Sequence, residues 1–288
     1  MKVCKRMTGN GVGPDLVTHN IILSAFKNGA HHRKALSYFE LMKRKKVKLD
    51  TITFNIIISC LVKLEQFDRA VETFYLMRRN TLDCKPDVVT FNTVMHAYAA
   101  SGQIRDAKAT FEMMIAEGIK ANIVSYNTLI SAYASLGMSK EALETFNLLE
   151  ENNFRPDIVS YTSLLNAYGR SGQLDKAREV FDLMSRISLK QNTVTYNSLI
   201  YAYGSVGCQE EALNLFHEMK HVRVQPNVVT ICILLAACGH CGQPEKIPSI
   251  ISLVVSQSIQ LNVNAYNTAI SSFMNGGCMT EHYPYMGI

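Results

Sequence analysis

Along residues 123–157 the apolar positions form two helical stripes separated by a break. Tyr126, Leu129, Ile130 and Tyr133 recur at spacings of three and four, so they share one face of a helix. Ser135-Leu136-Gly137 interrupts that period, and Ala142, Leu143, Phe146 and Leu149 begin a second stripe. The segment closes on Arg155-Pro156-Asp157, where a residue without a backbone N–H can end a helix without loss. The pattern predicts two helices joined by a tight turn.

That pattern returns down the chain. The triplets Thr18-His19-Asn20, Thr53-Phe54-Asn55, Thr90-Phe91-Asn92, Ser125-Tyr126-Asn127, Ser160-Tyr161-Thr162, Thr195-Tyr196-Asn197, Thr230-Ile231-Cys232 and Ala265-Tyr266-Asn267 end 35, 37, 35, 35, 35, 35 and 35 residues apart. Self-similarity at such a period marks a helical repeat array. Seven full units follow, at 16–50, 51–87, 88–122, 123–157, 158–192, 193–227 and 228–262, with an insertion in the second around Thr81-Leu82-Asp83. Residues 1–15 read as the end of a preceding partial repeat, and 263–288 as an incomplete eighth repeat with an irregular tail. The chain thus reads as part of a longer array.

Ala35, Ala70, Ala107, Ala142, Ala177 and Ala212 hold one place early in the second helix, where a small side chain lets paired helices approach. Phe39, Phe74, Phe111, Phe146, Phe181 and Phe216 follow one turn later on the same face. Unit seven departs from this. Ile247 replaces the alanine, and Pro244 and Pro248 lie in the opening turns of its second helix, which should start late. A single hairpin cannot bury its own apolar face, so neighbours must stack. The expected fold is all-α, a right-handed superhelical solenoid of 35-residue helix-turn-helix repeats with the first helices on the concave side.

Composition narrows the classes. With 48% hydrophobic and 18% charged residues, whole-chain disorder is excluded. No run of 18 apolar residues could span a membrane as a helix, so no membrane partner is expected. Lys2, Lys5 and Arg6 do not make a secretory signal, and eight cysteines are too sparse for a disulfide scaffold, so reduced thiols are expected. The first fifty residues carry 11 basic and 3 acidic side chains, with the run Lys43-Arg44-Lys45-Lys46-Val47-Lys48. This run suits phosphates or simply a solvated helix end. Lys63 and Arg170 share one place after the first helix and are candidate phosphate contacts.

Covalent chemistry finds no support. Cys238-Gly239-His240-Cys241 has the spacing of half a zinc site, but no second ligand pair follows, and Cys238 falls at the core place of Tyr133, Tyr168 and Tyr203. The His-x-Glu of a zinc deaminase, a Walker loop, a Gly-x-Ser-x-Gly elbow and His-Glu-x-x-His are all missing from the sequence. No catalytic residue, metal or cofactor is expected.

The period of 35, the Val-Thr-Tyr-Asn-x-Leu-Ile opening seen at Val194 to Ile200, and the Gly-x-x-Pro-Asp close resemble the pentatricopeptide-repeat family, P subclass, over residues 16–262. The resemblance implies a monomeric binder of single-stranded RNA in a plant organelle, plastid ahead of mitochondrion. Such a protein supports splicing, end protection or translation beside other RNA-maturation proteins. In that family each repeat reads one base through its fifth and last residues. Here these are Asn20 with Asp50, Asn55 with Asp87, Asn92 with Asn122, Asn127 with Asp157, Thr162 with Asn192, Asn197 with Asn227, and Cys232 with Asn262. The family correspondence implies U for Asn with Asp, a pyrimidine for Asn with Asn, and A for Thr with Asn, giving 5′-UUYUAYN-3′. It further implies that Val17, Ile52, Val89, Val124, Val159, Val194 and Val229, at the second place, sandwich successive bases.

The residue chemistry suits that role. An Asn amide carries both a donor and an acceptor, and a neighbouring carboxylate fixes which way it faces, a bias that Asn in place of Asp should remove. Competing readings stand beside it. The last residue of each unit could be a plain N-cap, with Thr or Ser three residues on as another. The valines could be ordinary core, and the whole array a protein-interaction scaffold resembling tetratricopeptide solenoids. Capping alone leaves unexplained why Asn, a weak helix former, recurs in an opening turn.

Overall fold

The computed structural model describes residues 7, 11, 13–79, 84–240, 242–255 and 260–275. Among these residues all regular structure is helical. The helices are α1 (Leu16–Asn28), α2 (His32–Arg44), α3 (Thr51–Lys63), α4 (Phe67–Arg79), α5 (Val88–Ala100), α6 (Ile104–Ala116), α7 (Ile123–Ser135), α8 (Ser139–Glu151), α9 (Ile158–Arg170), α10 (Leu174–Arg186), α11 (Thr193–Ser205), α12 (Gln209–His221), α13 (Val228–His240), α14 (Ile247–Val255) and α15 (Val263–Asn275). The insertion around Thr81-Leu82-Asp83, most of the expected leading partial repeat and the tail 276–288 lie outside the described residues.

The chain divides into two compact units, Met1–Ala132 and Tyr133–Ile288. In the first, α1 packs on α2 and α3, α3 on α2, α4 and α5, and α5 on α4 and α6. In the second, α9 packs on α8, α10 and α11, α11 on α10, α12 and α13, and α13 on α12, α14 and α15. Within each compact unit the first helices described thus touch their own partner and the next first helix, the arrangement of a stacked helical repeat.

The recurrent residues make these contacts. The six alanines are fully buried, and Ile247 fills their place in unit seven. Five of the six phenylalanines reach forward to the ring at the fourth place of the next repeat, and ahead of Phe216 that place is Ile231. Phe39 meets Phe54 at 6.1 Å between centroids, Phe74 meets Phe91 at 5.4 Å, and Phe111 meets Tyr126 at 5.4 Å. Further along, Phe146 meets Tyr161 at 5.2 Å and Phe181 meets Tyr196 at 4.9 Å. Steeply inclined rings at these distances gain quadrupole attraction beyond their burial. First helices approach closely where side chains are smallest. A Cβ added at Gly169 would lie 2.6 Å from Ala202 Cβ, and one at Gly204 would lie 2.7 Å from Ala237 Cβ.

Each first helix ends on a left-handed residue at the fifteenth place: Ala30, Glu65, Gly102, Gly137, Gly172, Gly207 and Gly242, with φ between 55° and 90°. After Gly102 and Gly172 the Gln103 and Gln173 amides donate to the Tyr98 and Tyr168 carbonyls at 2.8 and 2.9 Å, closing a Schellman turn. Ala30 and Glu65 adopt the same conformation with a Cβ in place. The second helices lack side-chain caps at His31, Gln103, Met138, Gln173 and Cys208. First-turn acids such as Asp106, Glu141, Asp175 and Glu210 face most of those helix dipoles instead.

Unit seven starts its second helix late. Pro244 opens a 3-10 turn, Pro244–Lys246, at the place where Gln209 opens α12, and α14 begins at Ile247. Pro248 then lies in the first turn of α14, where the missing N–H would have had no intrahelical partner.

Candidate nucleic-acid interface

The interface begins with the residue that opens each first helix. Asp50, Asp87 and Asn192 are extended, and their side-chain oxygens accept the backbone N–H of Thr53, Thr90 and Thr195 at 2.8, 2.8 and 3.0 Å. Asn122 and Asn227 accept from Ser125 and Thr230 at 3.0 Å, Asp157 from Ser160 at 2.9 Å, and Asn262 from Ala265 at 3.0 Å. Every last residue of the seven units is thus an N-cap, a bond worth about 1 kcal/mol.

Capping does not exhaust these side chains. Asn20 Nδ2 donates to Asp50 Oδ1 and Oδ2 at 3.1 and 3.0 Å, and Asn55 Nδ2 donates to Asp87 Oδ1 at 3.0 Å. Asn92 Nδ2 reaches Asn122 Oδ1 at 3.2 Å, and Asn197 Nδ2 reaches Asn227 Oδ1 at 3.4 Å. The fold therefore brings together fifth and last residues about thirty positions apart. Asn127 is buried, and Asp157 caps α9. Thr162 Oγ1 instead meets Thr195 Oγ1 at 3.0 Å, while Cys232 is half-buried and Asn262 caps α15.

One expectation is corrected here. Asn in place of Asp does not free the neighbouring amide. Asn122 and Asn227 must turn Oδ1 toward the helix start to cap it, so that oxygen still faces the fifth-place Nδ2. The bonds are only longer than those to Asp.

The third place supplies a participant that the sequence reading treated only as a cap. Thr53 Oγ1 lies 2.7 Å from Asn20 Oδ1, Thr90 Oγ1 2.5 Å from Asn55 Oδ1, and Thr230 Oγ1 2.7 Å from Asn197 Oδ1. The signal was there, since Thr or Ser fills this place in seven of the eight triplets.

The second-place residues stand in the open. Val17, Ile52, Val89, Val124, Val159, Val194 and Val229 are 50–64% exposed, so the reading of them as ordinary core fails. Each lies three residues before its fifth-place residue, hence beside it on the helix surface. The fifth-place side chains Asn20, Asn127, Thr162 and Asn197 are only 8% exposed.

Charge near these pairs is mixed. Lys63 and Arg170 end α3 and α9 inside the helix rather than after it, and both are exposed. The Arg170 guanidinium sits 5.3 Å from the Tyr201 ring and 3.4 Å from the Ser135 carbonyl, beside an open recess of about 370 Å³. Lys43 and Arg44 close α2, where cations favour the helix dipole, and Lys43 pairs with Glu40 at 3.3 Å. Cys238 is buried and receives a bond from Gln209 Nε2 at 2.6 Å, while Cys241 lies outside the described residues.

Burial pulls the Asp50 and Asp87 carboxyls upward. Bonds from Thr53 and Asn20, and from Thr90 and Asn55, outweigh it and leave both below the usual carboxylate range. A carboxyl depressed on folding adds stability above its unfolded value of about 3.9, and that stability is lost as pH falls through the lower folded value. Asp50→Asn keeps a capping oxygen but removes the titration. Its urea midpoint should therefore fall less than the parent's as pH drops below about 4. Parallel acid limbs would contradict this assignment.

A model of the PPR repeat family matches residues 14–63, 86–131, 121–170, 156–203 and 191–240, and a PPR repeat model matches 52–82. No curated protein matches the chain. Among solved structures, the pentatricopeptide repeat protein PPR10 in complex with an 18-nt psaJ RNA element is 22% identical, over 93% of this chain and 47% of its own, with a TM-score of 0.49. PPR10 from maize is 24% identical, over 95% and 44%, with a TM-score of 0.46. A tetratricopeptide repeat protein from Parabacteroides merdae is 11% identical, over 88% and 97%, with a TM-score of 0.62, and shares the helical-repeat fold. The chain spans less than half the length of the PPR10 chains it matches. With family matches across most of its length, the chain belongs to the pentatricopeptide repeat (PPR) family.

Proposed function

We propose that this chain is a non-catalytic, sequence-selective binder of single-stranded RNA, taking one base per repeat along 5′-UUYUAYN-3′. The observation that carries the reading is the recurrence of one local arrangement. A fifth-place amide bonds the last residue of its own unit, and an exposed Val or Ile stands one helical turn before it. Helical repeats of this kind read unstacked bases by their edges. In the Asn–Asp pairs the amide retains a second N–H and the carboxylate retains lone pairs, which match a carbonyl and the N3–H of uracil. In the Asn–Asn pairs an NH2 replaces part of that acceptor set, which suits the N3 of cytosine and gives the pyrimidine choice.

The exposed valines supply apolar plates between which successive bases lie. Lys63 and the basic run at α2 supply phosphate contacts, and Arg170 does so after leaving Tyr201. By family resemblance the site of action is a plant organelle, a plastid before a mitochondrion. There the bound, unpaired RNA segment would guide splicing, resist nucleases or expose a ribosome site, with the protein acting as a monomer. A protein-interaction scaffold is the alternative, but peptide binding gives no reason for four capping last residues to be bonded to fifth-place amides.

Gel-shift titration of UUYUAY-containing RNA against a scrambled oligomer tests the proposal. The matched RNA should bind more tightly, with log affinity falling by about 0.7 per neutralised phosphate per decade of salt. Equal affinity for both oligomers would overturn the reading pairs.

A further inference from the structure

Units three and six carry the same Asn–Asn pair, yet their fifth-place amides are held differently. In unit six the Thr230 hydroxyl lies 2.7 Å from Asn197 Oδ1 and 3.1 Å from Asn227 Oδ1. A hydroxyl has one proton to give, and the shorter contact places it on Asn197. In unit three the equivalent residue is Ser125, whose hydroxyl donates to Asn122 Oδ1 at 3.1 Å and accepts from the Asn122 backbone N–H at 3.2 Å. Asn92 Oδ1 is left buried without a hydrogen-bond partner. Turning the amide over does not help, because that would set its oxygen against Asn122 Oδ1, which capping Ser125 N–H holds in place.

The difference follows from the side chains. Thr is stiff at χ1, and its methyl group holds the hydroxyl in one direction, whereas Ser lacks that second substituent. Thr90 holds Asn55 as Thr230 holds Asn197, at 2.5 Å against 2.8 Å to Asp87 Oδ1, while the Thr53 hydroxyl lies 2.7 Å from both Asn20 Oδ1 and Asp50 Oδ1 and is shared between them. In each of these units the amide oxygen has a hydroxyl within reach, and in unit three it has none. A buried carbonyl without a partner destabilises the conformation that contains it, so the Asn92 amide is the more easily displaced from its position.

From this we infer that the third-place hydroxyl of the following repeat is a positioning residue for base choice. Thr90 and Thr230 pin the amides of Asn55 and Asn197, Thr53 shares its proton between Asn20 and Asp50, and Ser125 leaves Asn92 unpinned. The inference rests on the base-reading proposal above. Its consequence is that the third base is chosen less strictly than the sixth, although the two reading pairs are identical. The Thr methyl already fits at positions 53, 90, 195 and 230, so exchange between Ser and Thr leaves the fold intact.

Ser125→Thr and Thr230→Ser test the inference reciprocally, in binding titrations with RNAs that differ only at the third or only at the sixth base. Ser125→Thr should raise the pyrimidine-over-purine ratio at the third base by about fivefold, the factor of one net hydrogen bond. Thr230→Ser should lower the ratio at the sixth base by a similar factor, and neither should alter the ratio at the first base. A purely structural role would instead weaken all RNAs equally, and that result overturns the inference. So do unchanged ratios in a parent protein that still discriminates bases. A parent that discriminates nowhere overturns the base reading itself, and the inference with it.

Discussion

Thr162→Asn combined with Asn192→Asp should move the favoured fifth base from A to U. The fold is ready for the exchange. Asn192 caps α11 through Oδ1, as Asp50 caps α3 and Asp87 caps α5, so the carboxylate can take over without disturbing the helix start. Thr195 stands where Thr53 stands in the first unit, and its hydroxyl, now 3.0 Å from Thr162 Oγ1, would face the new amide oxygen. Unit five would then hold the arrangement of unit one. A side chain that bonds a base edge at two points discriminates by about 1–3 kcal/mol, so the swing between A and U should be tenfold or more in each direction. Affinities for RNAs differing only at the fifth base measure it directly, with thermal unfolding as the control for folding. Retained preference for A would show that the repeat register is misplaced.

Phe181→Ala should be the most destabilising single change, by about 3–5 kcal/mol. Phe181 is almost completely buried in α10, and its ring stands edge-on to Tyr196 of α11 at 80°. It therefore links units five and six as well as filling the core of unit five. In a repeat array stability sums over repeats and nearest-neighbour interfaces, so weakening one interface also loosens the coupling across it. Urea unfolding should show a lower midpoint and a broadened transition, while Phe181→Leu should behave more mildly. A sharp transition at the parent's midpoint would mean that this ring does not join the two repeats.

The helical hairpins were legible in the sequence because they depend on local signals. Apolar stripes at 3.6-residue spacing, capping Asp and Asn, and turn residues such as Gly102 and Gly172 all act within a few positions of themselves. The pairing of Asn20 with Asp50 could also be named in advance, because the repeat period makes equivalent places countable. What sequence did not reveal were contacts that span one period. The edge-on rings of Phe181 and Tyr196, the near-touch of Gly169 with Ala202, and the Thr230 hydroxyl on Asn197 join residues 15 to 33 positions apart. Their partners depend on how hairpins stack, which no local pattern encodes. The orientation of Asn122 was misjudged for a related reason. Its amide answers first to the backbone N–H of Ser125, and only then to Asn92.

The residue that opens each first helix cannot drift freely. Asp, Asn, Ser and Thr satisfy the exposed amide at a helix start, Gly does so less well, and bulky apolar residues fail. Any change at Asp50, Asn122 or Asn227 that alters recognition must therefore be drawn from this small alphabet. At the fifth place no such duty applies, and Asn, Thr and Cys all occur there. New targets should accordingly arise chiefly through substitutions at the fifth place, while the last place makes finer adjustments within limits set by folding.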